Sequence, residues 1–393
     1  MESSSSIRPA KWLHNADSPV MLMVDDFTNV WIDTNGNGRV EPDEDWGHAL
    51  DSPGSVFEFL TDKILTDCPA ARVTFFTPMA RVPIVKTYSC KAHFGPIDEN
   101  ARTAEFFRKV HRDPRFEAAY HGLTHGVPGD RTEDFVQEWV SYKSLDEALE
   151  TISRGKKIYF DVFGEEPAGG KYCGYAQNSF SDESISLSGF LWWCRRWDRG
   201  EARRGDVERF DVRYFGERPV LDVPSTVFGA MFNRPKGLVA RALGAGAAVR
   251  RGEEELEHLL RHRLVISIQE HISPARPDGR RQTPNIFDDR ESLKTIFDFL
   301  ARRKVWHCTG TELAEYVYCR DRVKIDERDG GFTLSLPPGR ELKRPLVSIV
   351  TGRGDVTHVV TPAGEHVPES GGACTVPIMD GMYSLVGPAV RPG

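Results

Sequence analysis

The chain has 393 residues, more than one small core can organise, so a large domain with at least one satellite is expected. Its formal net charge of −7 supplies no general attraction to nucleic acid or to an acidic membrane surface. No apolar run approaches the roughly 20 residues of a transmembrane helix.

Residues 1–17 read as a flexible leader. They hold the serine run Ser3–Ser6 and lack both the basic region and the apolar stretch of a secretory signal, so a cytoplasmic protein is expected. Cys68, Cys90, Cys173, Cys194, Cys308, Cys319 and Cys374 are scattered without a C-x-x-C pair. That pattern fits reduced thiols better than a disulfide framework.

The first strong element is Val20-Met21-Leu22-Met23-Val24, which runs directly into Asp25 and Asp26. A short apolar run of this kind reads as a strand buried on both faces. Its two carboxylates cannot enter a core unpaired and belong at its end, at the mouth of a pocket. Neighbours in a strand point to opposite sides, so the two can differ in role, one binding a metal and one handling a proton.

Residues 33–44 follow, Asp-Thr-Asn-Gly-Asn-Gly-Arg-Val-Glu-Pro-Asp-Glu. They match the twelve-residue calcium loop, with Asp33, Asn35 and Asn37 as side-chain ligands and Arg39 as a carbonyl ligand. Glu44 would be the bidentate carboxylate, with Gly38 at the sharp turn. The flanks do not suggest a paired EF-hand, so a structural Ca2+ stapling one loop is expected.

Further on, Ser55–Leu65 and Asn100–Val110 show helical spacing, and Arg72–Thr77 reads as a second buried strand. His121 and His125 come next, four residues apart. Thr132–Arg154 reads as a long polar-faced helix and Lys157–Phe163 as a strand. Val220–Pro224 and Leu264–Ile268 are further strands, the latter running into Gln269, Glu270 and His271. A helix over Glu291–Arg302, the run Val305–Cys308 and a helix over Thr311–Tyr318 capped by Thr311 complete this part. Strands alternating with helices imply a parallel sheet or barrel. After about residue 320 only short strands broken by Gly and Pro remain, which predicts a small antiparallel β-domain.

Two imidazoles and one carboxylate, Asp26 or Asp25, with water in the open position make a catalytic site of the zinc type. The second carboxylate would serve as general base, and His271, at a strand end, as acid. A glycoside hydrolase would instead pair Asp25 with Glu270 or Asp222 across a sugar. A non-catalytic glycan-binding or scaffold protein is the other alternative.

The order of Val24-Asp25-Asp26, His121-x-x-x-His125, Ile266–His271 and Val305-Trp306 with Thr311-Glu312-Leu313-Ala314-x-Tyr316 resembles the polysaccharide deacetylase (NodB-homology) superfamily, over about residues 18–318. The resemblance implies a distorted (β/α) barrel over 18–320, with the β-domain at 321–393 outside it. It implies a divalent transition metal, usually Zn2+, on Asp26, His121 and His125, with Asp25 as base and His271 as acid. The reaction implied is removal of an acetyl or other acyl group from a sugar or small amide. The family's Arg-Pro-Pro-Tyr segment is not evident, and Tyr172–Tyr175 stands in its place. Tyr175, Trp193 and Trp197 are the expected substrate-stacking aromatics, the last two within Leu191–Asp198. The β-domain is expected to serve packing or homo-oligomerisation.

Overall fold

The structure is a computed structural model that describes residues 7–387, except 40, 45–51, 88–89, 198–206, 208–209, 234–244, 277, 279 and 353–355. The chain divides into two compact units. Met1–Pro19, Lys304–Trp306 and Glu312–Gly393 form one, and Val20–Arg303 with His307–Thr311 the other.

The larger unit is built on one curled sheet. In chain order its strands are β1 (Ser18–Asp25), β2 (Val73–Thr77), β3 (Phe116–Tyr120), β4 (Gly169–Lys171), β5 (Trp192–Cys194), β6 (Arg213–Phe215), β7 (Val220–Asp222), β8 (Val227–Phe228) and β9 (Ile266–His271). Their spatial order is β6-β7-β5-β4-β3-β2-β1-β9-β8. Every pairing is parallel except that of β6 with β7. Residues of β1 are buried throughout, as its unbroken apolar run requires.

One segment closes the curl. Val220–Phe228 pairs with β5 through its first half and with β9 through its second, with Pro224 at the break. Backbone bonds continue across that break, Val223 N–H to the Trp193 carbonyl, Ser225 to Arg196 and Thr226 to Ser267. Counting β7 and β8 as one strand and setting β6 aside leaves a seven-membered ring of parallel strands, the distorted barrel expected.

Helices cover the strands where the sequence carries caps. Asn100 accepts from Arg102 and Thr103 N–H at the start of Ala101–Arg112. Ser144 opens Leu145–Phe163 and left-handed Gly164 closes it. This 19-residue helix overturns the strand expected at Lys157–Phe163 and moves the helix expected at Thr132–Arg154. Its buried residues Ala148, Ile152, Gly155, Tyr159 and Val162 repeat at steps of three and four, so the apolar face continues through the β-favouring Ile-Tyr-Phe stretch. Thr311 lies within the first turn of helix Gly310–Arg322 rather than at its cap, and its hydroxyl donates to the buried Glu117. No helix among the described residues is long and apolar enough to cross a membrane. None of the seven cysteines forms a disulfide.

The smaller unit holds two antiparallel sheets. Arg8–Pro9, Leu346–Val350 and Cys374–Pro377 form one, and the other contains Lys324–Arg328, Gly331–Ser335, His358–Val360, His366–Pro368 and Met382–Val386. Ile7, Val347, Ile349 and Val376 from the first share a core with Phe332, Leu334, Val359 and Tyr383 from the second. The sandwich-like domain expected at the C-terminus therefore draws on the N-terminus too. Residues 7–17 are not a flexible leader: Ile7, Ala10 and Trp12 are buried, and Arg8–Pro9 pairs with Leu346–Val350. The serine run lies outside the described residues.

Candidate metal centre

Parallel pairing brings the carboxyl ends of the strands together, which is where such sheets build sites. His271 of β9 lies in register with Asp25 of β1. Tyr120, the last residue of β3, pairs with Gly170 of β4. Asp26, His121 and Lys171 thus emerge at one rim from three well-separated stretches of the chain.

The three side chains expected as ligands lie close together. Asp26 Oδ1 lies 3.2 Å from His125 Nε2 and 3.9 Å from His121 Nε2. Donor atoms about 2.0–2.2 Å from one tetrahedral zinc ion are themselves about 3.3 Å apart, so the three side chains fit one divalent cation. His121 Nδ1 lies 3.0 Å from the Lys171 carbonyl, which fixes Nδ1 as the protonated nitrogen and leaves Nε2 as a lone-pair donor. That Nε2 and Asp26 Oδ1 are buried without a hydrogen-bond partner. Cys173 offers a third donor beside the imidazoles, all three ligand atoms lying within 4.8 Å of one another. Its thiol donates to the His121 carbonyl at 3.2 Å, and burial, foremost, pushes its pKa well up. Together these residues make a possible site for a divalent metal.

Protonation favours ligation. Burial is the largest influence on Asp26 and would raise its pKa, but Arg81, His125, His271 and His121 together hold it well below the carboxylate range. Burial, then the Arg81 charge, pushes His125 well below its ordinary value. Burial likewise lowers His121, against the pull of Asp25 and Asp26.

The backbone at this rim is strained. Asp26 has φ 67° and His125 φ 69°, a left-handed conformation that costs a non-glycine residue about 1–3 kcal/mol. The loop carrying the histidines is anchored by the buried carboxylate of Glu138. It accepts from the backbone N–H of Leu123 (2.9 Å), Thr124 (2.7 Å) and His125 (2.8 Å), and from the Tyr142 hydroxyl (2.7 Å). Gly122, at φ +86°, lies where any Cβ would strike that carboxylate.

Asp25 has a different partner. Lys171 Nζ, fully buried, lies 2.7 Å from Asp25 Oδ2 and also donates to Gln269 Oε1. Tyr175 donates to the same Gln269 oxygen at 2.7 Å. Lys171 is thus the buried cation that holds Asp25. Arg81 Nη1 lies 3.3 Å from Asp26 Oδ1, and both side chains are buried. Asp26 Oδ2 accepts from Gln282 Nε2 at 3.2 Å. His271 Nδ1 lies 2.7 Å from the Pro284 carbonyl, which leaves Nε2 for proton exchange.

Sequence reasoning missed Arg81, Lys171 and Glu138. The one local signal was the Gly169-Gly170 pair before Lys171. A Cβ at either glycine would collide with Trp192 or with Trp193 and the Tyr120 carbonyl, so a bare backbone is needed there.

The aromatics divide. Tyr175 stacks on Trp197 at 5.7 Å, and Trp197 packs on Phe228, all three half-buried. Trp193 does not join them: it is fully buried against Tyr120, Trp139, Tyr172 and Phe190, a core residue with no face open to a sugar. Asp198 lies outside the described residues. The carboxylates of the glycosidase alternative differ: Asp222 is ion-paired, and both oxygens of Glu270 are buried without a hydrogen-bond partner. Asp222 pairs with Arg196 at 2.9 Å. Glu270 is fully buried against Gly229, with burial raising its pKa well up.

No family model and no curated protein matches the chain. Among solved structures it is similar to a "putative polysaccharide deacetylase from Mycobacterium smegmatis", with 16% identity over 86% of this chain and 98% of that one and a TM-score of 0.44. It is similar to Puue allantoinase, with 13% identity over 78% and 92% and a TM-score of 0.46. A CE4 family pseudoenzyme from Bacillus anthracis is also similar, with 14% identity over 76% and 66% and a TM-score of 0.35. Polysaccharide deacetylases and CE4 family members are thus among the solved structures to which this chain is similar. All three quoted TM-scores fall below 0.5, and the functional reading rests on the side chains.

Proposed function

We propose that the chain is a metal-dependent hydrolase that removes an acyl group, an acetyl group in the simplest case, from the nitrogen of a sugar or small amide. The observation that carries the reading is the convergence of Asp26 Oδ1 with the Nε2 atoms of His121 and His125. These three residues would hold a Zn2+-class ion, which when bound polarises an acyl carbonyl and makes water acidic.

The chain's own groups then divide the proton work. Asp25, held by Lys171, takes the proton from the attacking water. His271, steadied by the Pro284 carbonyl, presents Nε2 to protonate the departing amine. Tyr175 and Trp197 offer a stacked aromatic wall suited to a sugar face. The test is a hydrolysis screen over N-acetylated sugars and small amides with Zn2+ supplied. His125→Ala is expected to lose bound metal and turnover together, and full activity in that variant would overturn the reading. A stably folded protein that binds metal and turns over nothing would favour the glycan-binding alternative.

A further inference from the structure

The loop that leaves the barrel at Asp33 plays no part in this chemistry, yet its side-chain oxygens are closely organised by its own backbone. β1 ends at Asp25, and the chain continues through Phe27, Thr28, Val30 and Ile32, all buried, into a short strand, Val30–Asp33, paired with Lys91–Phe94. The loop begins at the end of that strand. Asp33 Oδ1 accepts from the N–H of Gly36 (2.6 Å) and Asn37 (3.1 Å), and Oδ2 from Gly38 (2.9 Å). Asn35 Oδ1 accepts from Asn37 N–H at 2.9 Å and Asn37 Oδ1 from Arg39 N–H at 2.8 Å, each oxygen keeping a second lone pair. Glu41 takes the amide N–H of both asparagines, at 2.7 and 2.9 Å, which fixes their oxygen ends on the other side.

Glu44 supplies the decisive observation. It folds back to the start of the loop, where Oε1 accepts from the Thr34 hydroxyl (2.9 Å) and Asn35 N–H (3.0 Å). The residue is 2% exposed. Its Oε2 is buried with no hydrogen-bond partner. A buried carboxylate oxygen without a partner is costly unless a cation meets it. Burial raises the Glu44 pKa, and Asp33 and Glu41 are among the charges that add to the rise.

We propose that the loop opening at Asp33 binds one Ca2+ through the side-chain oxygens of Asp33, Asn35, Asn37 and Glu44 and the carbonyl of Arg39. A set made only of oxygens, with a terminal bidentate carboxylate, suits a hard ion that takes 6–8 ligands at about 2.3–2.6 Å. It does not suit the nitrogen-seeking metal of the histidine site. The two cations therefore occupy separate sites of different chemistry.

Trp31, two residues before Asp33, provides the optical readout. Full-length protein freed of metal is titrated with Tb3+, with excitation of tryptophan, and then with CaCl2. Saturable sensitised emission at one equivalent, displaced by Ca2+, is expected, together with a rise in Tm on adding CaCl2 alone. Glu44→Gln should weaken Ca2+ binding by on the order of 100-fold. Asn35→Ala, a milder change in an exposed turn, should weaken it less. His125→Ala should leave the Tb3+ signal intact while losing zinc, so failure of this site and failure of the hydrolase reading are distinguishable. No saturable emission from folded wild-type protein, or emission unchanged in Glu44→Gln, would overturn the proposal.

Discussion

Arg81→Met is the sharpest test of how the cluster around Asp26 is held together. Arg81 Nη1 and Asp26 Oδ1 are 3.3 Å apart, and both side chains are about 2% exposed. At an effective dielectric of about 20, unit charges at that distance attract by about 5 kcal/mol. Removing one partner of a buried pair costs about 3–5 kcal/mol, because the other is left uncompensated. Metal-free Arg81→Met should therefore lose about 3–5 kcal/mol in urea denaturation, a large share of a typical domain's stability. A divalent cation on Asp26, His121 and His125 needs that same oxygen, so in the wild type it works against the guanidinium. If 1.5–3 kcal/mol of the pair energy is forfeited on binding, the variant should bind Zn2+ about 10–150-fold more tightly. Added Zn2+ should then restore more stability to the variant than it gives the wild type. Calorimetric titration of both proteins decides the matter. Equal or weaker Zn2+ binding by Arg81→Met would show that the two cations do not compete and would refute the reasoning.

Lys171→Met removes the cation 2.7 Å from Asp25 while leaving the three metal donors in place. Turnover should fall at least about 100-fold, the scale of a mispositioned general base, with Zn2+ affinity changed only a few-fold. Steady-state kinetics and calorimetry on one preparation check both. Glu138→Gln replaces an acceptor of three backbone N–H groups with an amide that can serve only part of them. A loss of about 3 kcal/mol in urea denaturation is expected, with weaker Zn2+ binding because the histidine loop relaxes. For acid stability, His307 is lowered from 6.5 to about 4, by burial first and then by the Arg72 charge. The unfolded chain takes this proton first as pH falls. The stabilisation is therefore fully present above pH 6.5 and is lost on descent toward pH 4, about 3 kcal/mol in all. Across that range the wild type should lose about 3 kcal/mol relative to the non-titrating His307→Gln, read from the denaturation midpoints of both proteins.

The elements legible in the sequence were those whose signal is local. The apolar run before Asp25 needed both faces covered, and β1 is buried along its length. The four-residue step from His121 to His125 held both rings near one point, helped by left-handed Gly122 and His125. Lys171 and Arg81 were invisible because their partners, Asp25 and Asp26, lie 146 and 55 positions away in the chain and meet them only through sheet pairing. Trp193 shows the opposite failure: an aromatic cluster reads the same whether it lines a groove or fills a core, and strand register sent this ring inward. The helix at Leu145–Phe163 was obscured at its end because Ile158, Tyr159 and Phe160 favour strands when taken alone.

Expression boundaries should respect the pairing of Arg8–Pro9 with Leu346–Val350. A clone started at Ser18, where the first barrel strand opens, would omit that short strand together with Ile7, Ala10 and Trp12. It would leave the Leu-Val-Ser-Ile-Val edge without a neighbour on one side. Such an edge is a template for intermolecular strand addition. Trimming this front end should then yield inclusion bodies although the strands of the larger unit are all retained.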